Sequence, residues 1–144
     1  MLDKGNLQSV KILELHPNNW FINQVKLAMV RNAWRLGEQD LLPPILVAEI
    51  EGTLSLIDGH SRAYAAFEMG KTYIKASISR LDDIEGSSAL YMHLHREGLK
   101  LGIKTIADLR YRIVEPEEHR RLWVDYCKNW IEENDPSDNV NTPK

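Results

Sequence analysis

The sequence has a single cysteine, no long apolar run and no excess of basic residues, and each absence excludes a class of protein. Cys127 has no partner for an internal disulfide, which indicates a reducing compartment. No apolar stretch approaches the ~20 residues that cross a bilayer, and the N-terminus, MLDKGNLQSV, lacks the apolar core of a signal peptide. We therefore expect a cytoplasmic protein without a membrane partner.

The charge balance disfavours a protein that coats nucleic acid through bulk electrostatics. The net charge is −3 and the sequence pI is near 5.9, whereas such domains usually have a pI above ~9. With 144 residues, 43% of them hydrophobic and 27% charged, the chain is long enough to bury a core without a metal or a disulfide. DNA is therefore a partner that the sequence allows but that its charge does not favour.

Strand and helix patterns alternate along the first part of the chain. An apolar–polar alternation predicts a first strand over 10–15, and Asn23 can cap the helix that follows because its side-chain oxygen accepts from free N–H groups. Glu51-Gly52 predicts a tight hairpin turn. The other predicted elements are strands over 44–50, 53–57 and 73–79 and a short helix over 61–69. This order is typical of a compact mixed α/β unit.

Helical spacing dominates the second part of the chain. We predict a helix over 82–97 that Gly98 and Gly102 interrupt, and a last helix that starts at 115–118, where proline and acids suit a first turn. The apolar stripe of the last helix consists of Leu122, Trp123, Tyr126, Cys127, Trp130 and Ile131. This stripe either covers the α/β unit or pairs two copies of the chain as a homodimer. The predicted organisation is an α/β domain over 1–80, a helical extension over 81–133 and a disordered tail over 134–144.

The stretch IDGHSRAYAAFEMG, residues 57–70, is the part of the sequence that can carry chemistry. A strand runs into Asp58-Gly59 and a helix opens almost at once. Free backbone N–H groups, the positive end of a helix dipole and Arg62 therefore come together, which suits a phosphate or another anion. Gly59 also permits a ligand to approach the backbone closely.

Two more side chains of this stretch add chemistry. Ser61 can cap the helix and offer its hydroxyl to a phosphate oxygen, and His60 can donate to a phosphate or move a proton near neutral pH. The alternative interpretation is a plain turn, with Ser61 as its cap and Arg62 as a solvated surface charge. From the spacing alone, both interpretations stay open.

Four motifs within residues 10–80 resemble the ParB/sulfiredoxin-like domain, also called the ParB-like nuclease domain. They are LHPNN after the first strand, PPILVAEI, the glycine hairpin EGTLSLIDG and the turn GHSRAYAA, which enters a helix of small residues. Their order and spacing match the family over about half of the chain. The resemblance implies an α+β fold with a compact mixed sheet and helices, followed here by the helical C-terminal extension.

The branches of this family differ at the same turn. Chromosome-partitioning proteins bind CTP and DNA and carry GERR there, whereas sulfiredoxins carry Gly-Cys-His-Arg with a catalytic cysteine. His60 takes the place of that cysteine, so the resemblance excludes sulfiredoxin chemistry. Free-serine kinases use an Asp-Gly-x-x-Arg turn, and Asp58, Gly59 and Arg62 match this branch best.

What these branches share is a nucleotide phosphate on the turn, so the resemblance implies a nucleotide site. Its expected binding residues are Gly59, His60, Ser61 and Arg62. The implied ligand is a nucleoside tri- or diphosphate (ATP, ADP or CTP), with or without Mg²⁺. Asp58 or Glu14 would hold Mg²⁺ or act as a base, and His60 completes the expected catalytic set. The implied reaction class is phosphoryl transfer or NTP hydrolysis, and no set of metal ligands is assigned.

Two other functions stay open. One is a DNA-binding or nuclease protein of the ParB-like class, as the family label suggests. The other is a non-catalytic interaction module that assembles through its C-terminal helix, because tryptophan and tyrosine are favoured in interface cores. The sequence leaves open whether the protein is an enzyme.

Overall fold

Seven strands in two sheets form the centre of the computed structural model, which describes residues 7–136. In chain order they are β1 (Leu7–Lys11), β2 (His16–Pro17), β3 (Ile22–Asn23), β4 (Ile45–Ile50), β5 (Thr53–Asp58), β6 (Tyr73–Ser79) and β7 (Ile113–Val114). The main sheet has five strands in the order β1-β6-β4-β5-β2. It is mixed, because β1–β6 and β4–β5 are antiparallel whereas β4–β6 and β2–β5 are parallel. The short strands β3 and β7 pair in parallel beside it.

The described residues also form five α-helices. They are α1 (Gln24–Arg35), α2 (His60–Glu68), α3 (Ser88–Lys100), α4 (Pro116–His119) and α5 (Asp125–Asn134), with a π-helical segment, Arg120–Val124, between the last two. Short 3-10 turns are formed by Ile12–Glu14, Gln39–Leu41, Leu81–Asp83 and Ile106–Leu109. Within residues 7–136, none of the helices has the length and apolar character needed to cross a membrane.

Two local predictions are confirmed by hydrogen bonds and backbone angles. The Asn23 side-chain oxygen accepts from the N–H groups of Val25 and Lys26 at 2.9 and 3.3 Å, so it caps α1. Glu51 and Gly52 both have positive φ, 52° and 80°, as a tight turn between two antiparallel strands requires. The β4–β5 hairpin is therefore closed by the residues that the sequence indicated.

The predicted strand over 10–15 is wrong in its second half. β1 ends at Lys11, and Ile12–Glu14 forms a 3-10 turn. Ile12 and Leu15 are both fully buried, and residues three apart point to the same side only in a helical turn. The need to bury both side chains on one side therefore ends the strand.

The predicted interruption of a helix at Gly98 is also wrong. The third helix starts later than expected, at Ser88, because the Ser87 hydroxyl accepts from the Leu90 N–H at 3.0 Å and caps it. It then continues through Gly98 to Lys100. A Cβ at Gly98 would lie 3.0 Å from Nε1 of Trp20, so this glycine serves close packing rather than a helix end.

The apolar stripe of the C-terminal helix packs inside this chain. Trp123 is buried, and its ring lies 5.2 Å from that of Trp20, centroid to centroid. The Tyr126 ring lies 5.3 Å from the same tryptophan. Burial raises the pKa of Cys127 to about 12, which fits a packing role for this thiol. The sequence allowed the stripe to cover either the α/β unit or a second copy of the chain. In the structure it packs against the α/β unit.

The structure describes only part of the predicted C-terminal tail, so it tests only part of the boundary between that tail and the helical extension. α5 includes Asn134, the first residue of the predicted tail, and the Ser87 hydroxyl donates to the Asp135 carboxylate at 2.7 Å. The remainder of the predicted tail, residues 137–144, lies outside the described residues. The division into a domain over 1–80 and an extension over 81–133 stays a prediction.

Candidate functional site

The turn at residues 58–62, called the 58–62 turn below, joins the end of β5 to the first turn of α2. Gly59 has a φ of +105°, and its carbonyl accepts from the Ala63 N–H at 2.9 Å, which starts the helix. A Cβ at this position would lie 2.7 Å from Cγ2 of Ile45. The expectation that Ser61 caps α2 is wrong, because the helix starts one residue earlier with Gly59 at the N-cap.

Arg62 is bonded to protein rather than exposed to solvent. One guanidinium nitrogen, Nη1, donates to the carbonyls of Pro43 and Pro44 at 2.8 and 3.1 Å. The other, Nη2, lies 3.3 Å from the Asp58 carboxylate, and the Arg62 side chain is only 15% exposed. The guanidinium therefore ties the 58–62 turn to the loop before β4, in addition to any contact with a ligand.

His60 is buried at the start of α2 and is held by the backbone of another segment. Its Nε2 accepts from the Asn19 N–H at 2.9 Å, so in the neutral ring the proton is on Nδ1. Burial is the main cause that lowers the pKa of His60 to about 3, and the nearby charge of Arg62 adds to it. At neutral pH this imidazole is uncharged.

The segment that holds His60 is itself fixed by asparagine side chains. The Asn18 amide donates to the Ser55 hydroxyl at 3.2 Å and to the Tyr91 carbonyl at 2.9 Å. The Asn19 side-chain oxygen accepts from the Phe21 N–H at 2.9 Å. The LHPNN motif therefore positions one wall of the site beside the 58–62 turn.

A pocket of about 450 Å³ opens beside the turn. Its polar lining residues are Asn19, Asn23, Lys26, Asp58, His60, Ser61, Arg62 and His119, and its apolar ones include Phe21, Met29, Val30 and Leu42. This volume falls in the range of small-molecule sites, about 300–1,000 Å³. All four expected binding residues line this pocket.

The electrostatics of the pocket favour an anion. Lys26 and Arg62 supply two permanent positive charges, and Asp58 is the only carboxylate that lines the pocket among the described residues. The first N–H groups of α2 have no acceptor inside the helix, and they carry the positive end of its dipole. A phosphate placed against this turn would therefore find donors and positive charge together.

The two expected carboxylates are not brought together. Asp58 ends β5 and its side chain is 76% exposed, whereas Glu14 does not line the pocket. The parallel pairing of His16 with Ser55 places Glu14 toward the start of β5, about 10 Å or more from its end at 3.3 Å per residue. Within residues 7–136, no group of three or more His, Cys, Asp or Glu side chains is arranged to hold a metal ion.

A larger depression, about 1530 Å³, is also lined by Asp58. Its charged lining residues are Glu49, Asp58, Asp82, Asp83, Glu85 and Arg80. Five carboxylates against one arginine would repel a phosphate. The smaller pocket is therefore the candidate site for an anionic ligand.

Comparisons with known proteins bear on the fold. No family model and no curated protein matches the sequence. The crystal structure of protein Atu1540 from Agrobacterium tumefaciens matches with a TM-score of 0.50 and 19% identity over 72% of this chain. The alignment covers 60% of that protein, so this chain spans little more than half of its length. The fold is ParB/sulfiredoxin-like. The predicted α+β class with a mixed sheet is confirmed.

A second solved structure is similar over a shorter part of the chain. The crystal structure of sulfiredoxin from Arabidopsis thaliana matches with a TM-score of 0.40 and 21% identity, over 60% of this chain and 96% of that one. At 19% identity the likeness to protein Atu1540 shows the fold alone. What the ParB/sulfiredoxin-like fold does in this chain has to be argued from the residues of the site.

The sequence motif indicated the 58–62 turn but not Lys26 and His119, which line the same pocket. Lys26 lies in the first turn of α1, where a positive charge opposes the helix dipole. That mismatch is a signal that could have drawn attention to it. His119 comes from α4, far along the chain, and no local pattern connects it with the turn. In this ParB/sulfiredoxin-like fold, the helical extension therefore supplies part of the pocket.

The bonds of Arg62 predict a cost in stability for its removal. Arg62→Ala is expected to lower the free energy of unfolding by about 2 kcal/mol, because the Pro43 and Pro44 carbonyls of the loop before β4 lose a charged donor. Urea denaturation measures the change. Arg96→Ala is the matched control, since its two bonds to Glu51 lie on the surface, where solvent screening leaves an ion pair little net effect on stability. Equal losses in the two variants would contradict a structural role for Arg62.

Proposed function

We propose that this chain binds a nucleotide in the pocket beside the 58–62 turn, with a phosphate group on the first turn of α2. One observation carries the proposal. The unsatisfied N–H groups of that turn share a pocket with Lys26 and Arg62, and a single carboxylate lines it within the described residues. Such a combination of helix terminus and cations is a recurring way to bind phosphate.

The remaining lining suits the other part of a nucleotide. Met29, Val30 and Leu42 offer an apolar surface, and the Met29 side chain is exposed. Pockets of this kind combine apolar walls, which cover a planar ring, with a few polar groups that fix its orientation. The Phe21 ring also lines the pocket, with the Arg112 guanidinium stacked on it at 5.2 Å. A base stacked on these side chains would leave its phosphates free to reach the turn.

Asp58 is the residue that would hold Mg²⁺ if the nucleotide carries it. Mg²⁺ is commonly bound by one or two carboxylates together with phosphate oxygens, so one carboxylate is enough. When bound, the ion neutralises phosphate charge as a transferred group leaves. Asp58 is oriented by its ion pair with Arg62. Phosphoryl transfer or NTP hydrolysis is the reaction class we assign to this site, with Glu14 outside it.

A calorimetric titration tests the proposal. We expect at least one of ATP, ADP, CTP and GTP, with or without Mg²⁺, to bind the full chain. Lys26→Met should weaken that binding about tenfold, because a charged contact to phosphate contributes about 1.5 kcal/mol or more. Lys128→Met is the matched control, since Lys128 is an exposed lysine of α5 outside the pocket. The affinity of this variant for the nucleotide should be unchanged.

Two results would count against nucleotide binding. One is the absence of heat with all four nucleotides, with and without Mg²⁺. The other is an equal loss in the two lysine variants, which would show that only general charge matters. If the protein instead bound DNA, and this binding weakened steeply as the salt concentration rose, the DNA-binding alternative would be favoured, because phosphate contacts release counterions.

A further inference from the structure

His119 is the one pocket residue that the C-terminal extension contributes among the described residues. It is the last residue of α4, and it lines the pocket together with Lys26 and the 58–62 turn. α4 is continued by the π-helical segment that carries the buried Trp123, whose ring packs on Trp20. The position of His119 is therefore set by the packing of the extension against the α/β unit.

The groups that act on the His119 ring come from α1, from α2 and from the residue before β3. From α1 the Lys26 ammonium acts on it, from α2 the His60 ring interacts with it, and the Phe21 backbone bonds to it. Burial is the main cause that lowers the pKa of His119, and Lys26 lowers it further, while the bond to Phe21 opposes both. Asp58, which also lines the pocket, is already paired with Arg62. The neutral form of the His119 ring is thus favoured beside the Lys26 ammonium.

We infer that His119 is a phosphate-binding residue of this pocket and that it takes up a proton from solvent when the phosphate binds. This inference rests on the proposed nucleotide site and names the group that would make binding depend on pH. The ligand class is a nucleotide with a doubly charged terminal phosphate.

Phosphate binding and protonation of His119 are coupled through charge. A phosphate dianion beside the ring reverses the local potential, and an opposite charge within a few ångströms favours the protonated imidazole. The protonated ring then donates to the phosphate as a charge-assisted bond. Because the bound state holds one more proton than the free state, affinity must rise as the pH falls, by up to about tenfold for each pH unit.

Calorimetry at pH 6, 7 and 8, in buffers with different ionisation heats, tests the inference, because it counts the protons taken up on binding. ADP is the probe, and the wild-type chain is compared with His119→Gln. Titration of the ADP phosphate itself is common to both proteins and cancels in the difference. We expect the wild-type protein to take up close to one more proton than the variant at pH 7. Between pH 8 and pH 6, the affinity of the wild-type protein for ADP should also increase by a factor about ten times larger than that of the variant.

His93→Gln is the matched control, because His93 stacks on Trp130 outside the pocket. It should keep the wild-type proton uptake. Equal proton uptake and equal pH slopes in wild type and His119→Gln would overturn the role of His119 while leaving nucleotide binding in place. If ADP binds neither protein at any of the three pH values, both the inference and the ADP site fall.

Discussion

Replacing Gly59 with alanine is expected to destabilise the protein by about 3–5 kcal/mol. Two costs add at this position. An alanine would keep a φ of +105°, which costs about 1–3 kcal/mol for a residue with a Cβ. Its Cβ would also lie 2.7 Å from Cγ2 of the fully buried Ile45, and overpacking of this kind costs about 1–3 kcal/mol more. Urea denaturation at constant pH measures the loss.

Gly52→Ala is a matched control for this prediction. Gly52 also has a positive φ, +80°, but a Cβ there meets nothing within 4 Å. It should therefore cost only the backbone strain, about 1–2 kcal/mol. The difference between the two variants isolates the contact with Ile45. If the two variants lose the same stability, the close approach of the 58–62 turn to β4 is not rigid.

Acid is expected to destabilise the protein well before its carboxylates titrate, and His60 is the main reason. In the folded state the pKa of His60 is lowered to about 3, whereas in the unfolded chain it is near 6.5. Above pH 6.5 the ring is neutral in both states, so its contribution is fully present. As the pH falls below 6.5, the unfolded state binds a proton that the folded state does not. Stability is therefore lost at about 1.4 kcal/mol per pH unit from this residue, until the pH approaches 3.

The measurement is the free energy of unfolding at several pH values between 6.5 and 5. Burial also lowers the pKa values of His16 and His95. The free energy of unfolding should therefore change more steeply with pH than the binding of a single proton would cause. His60→Gln removes one titrating group, and its slope should be smaller by about 1.4 kcal/mol per pH unit. An unchanged slope in this variant would show that His60 is accessible and titrates normally, against its buried bond to Asn19.

The parts of the fold that sequence predicts best are those fixed by local chemistry. The Asn23 cap and the Glu51-Gly52 turn depend only on neighbouring residues, and the structure contains both. The strand after α2, Tyr73–Ser79, has the predicted bounds. The predictions fail where packing between distant segments determines the local structure. Gly98, for example, stays helical because Trp20 packs directly against it. No periodicity of the local sequence contains that information.

The site shows the same division. The sequence pointed to the 58–62 turn through a local motif, and the expected binding residues do line one pocket. It did not reveal that Arg62 bonds to the Pro43 and Pro44 carbonyls, since those bonds depend on how the loop before β4 folds back. Nor could it place His119 there, because that contact forms only when the helical extension packs on the sheet domain. Contacts between distant segments carry no signal in one sequence.

The proposed function depends above all on a nucleotide phosphate bound at the first turn of α2. The most direct test is the two-dimensional ¹H–¹⁵N NMR spectrum of the full chain during addition of ADP. We expect the backbone amide signals of His60, Ser61 and Arg62 to shift most, because their N–H groups would donate to the phosphate. Signals that move only elsewhere, with these three unchanged at saturation, would contradict it.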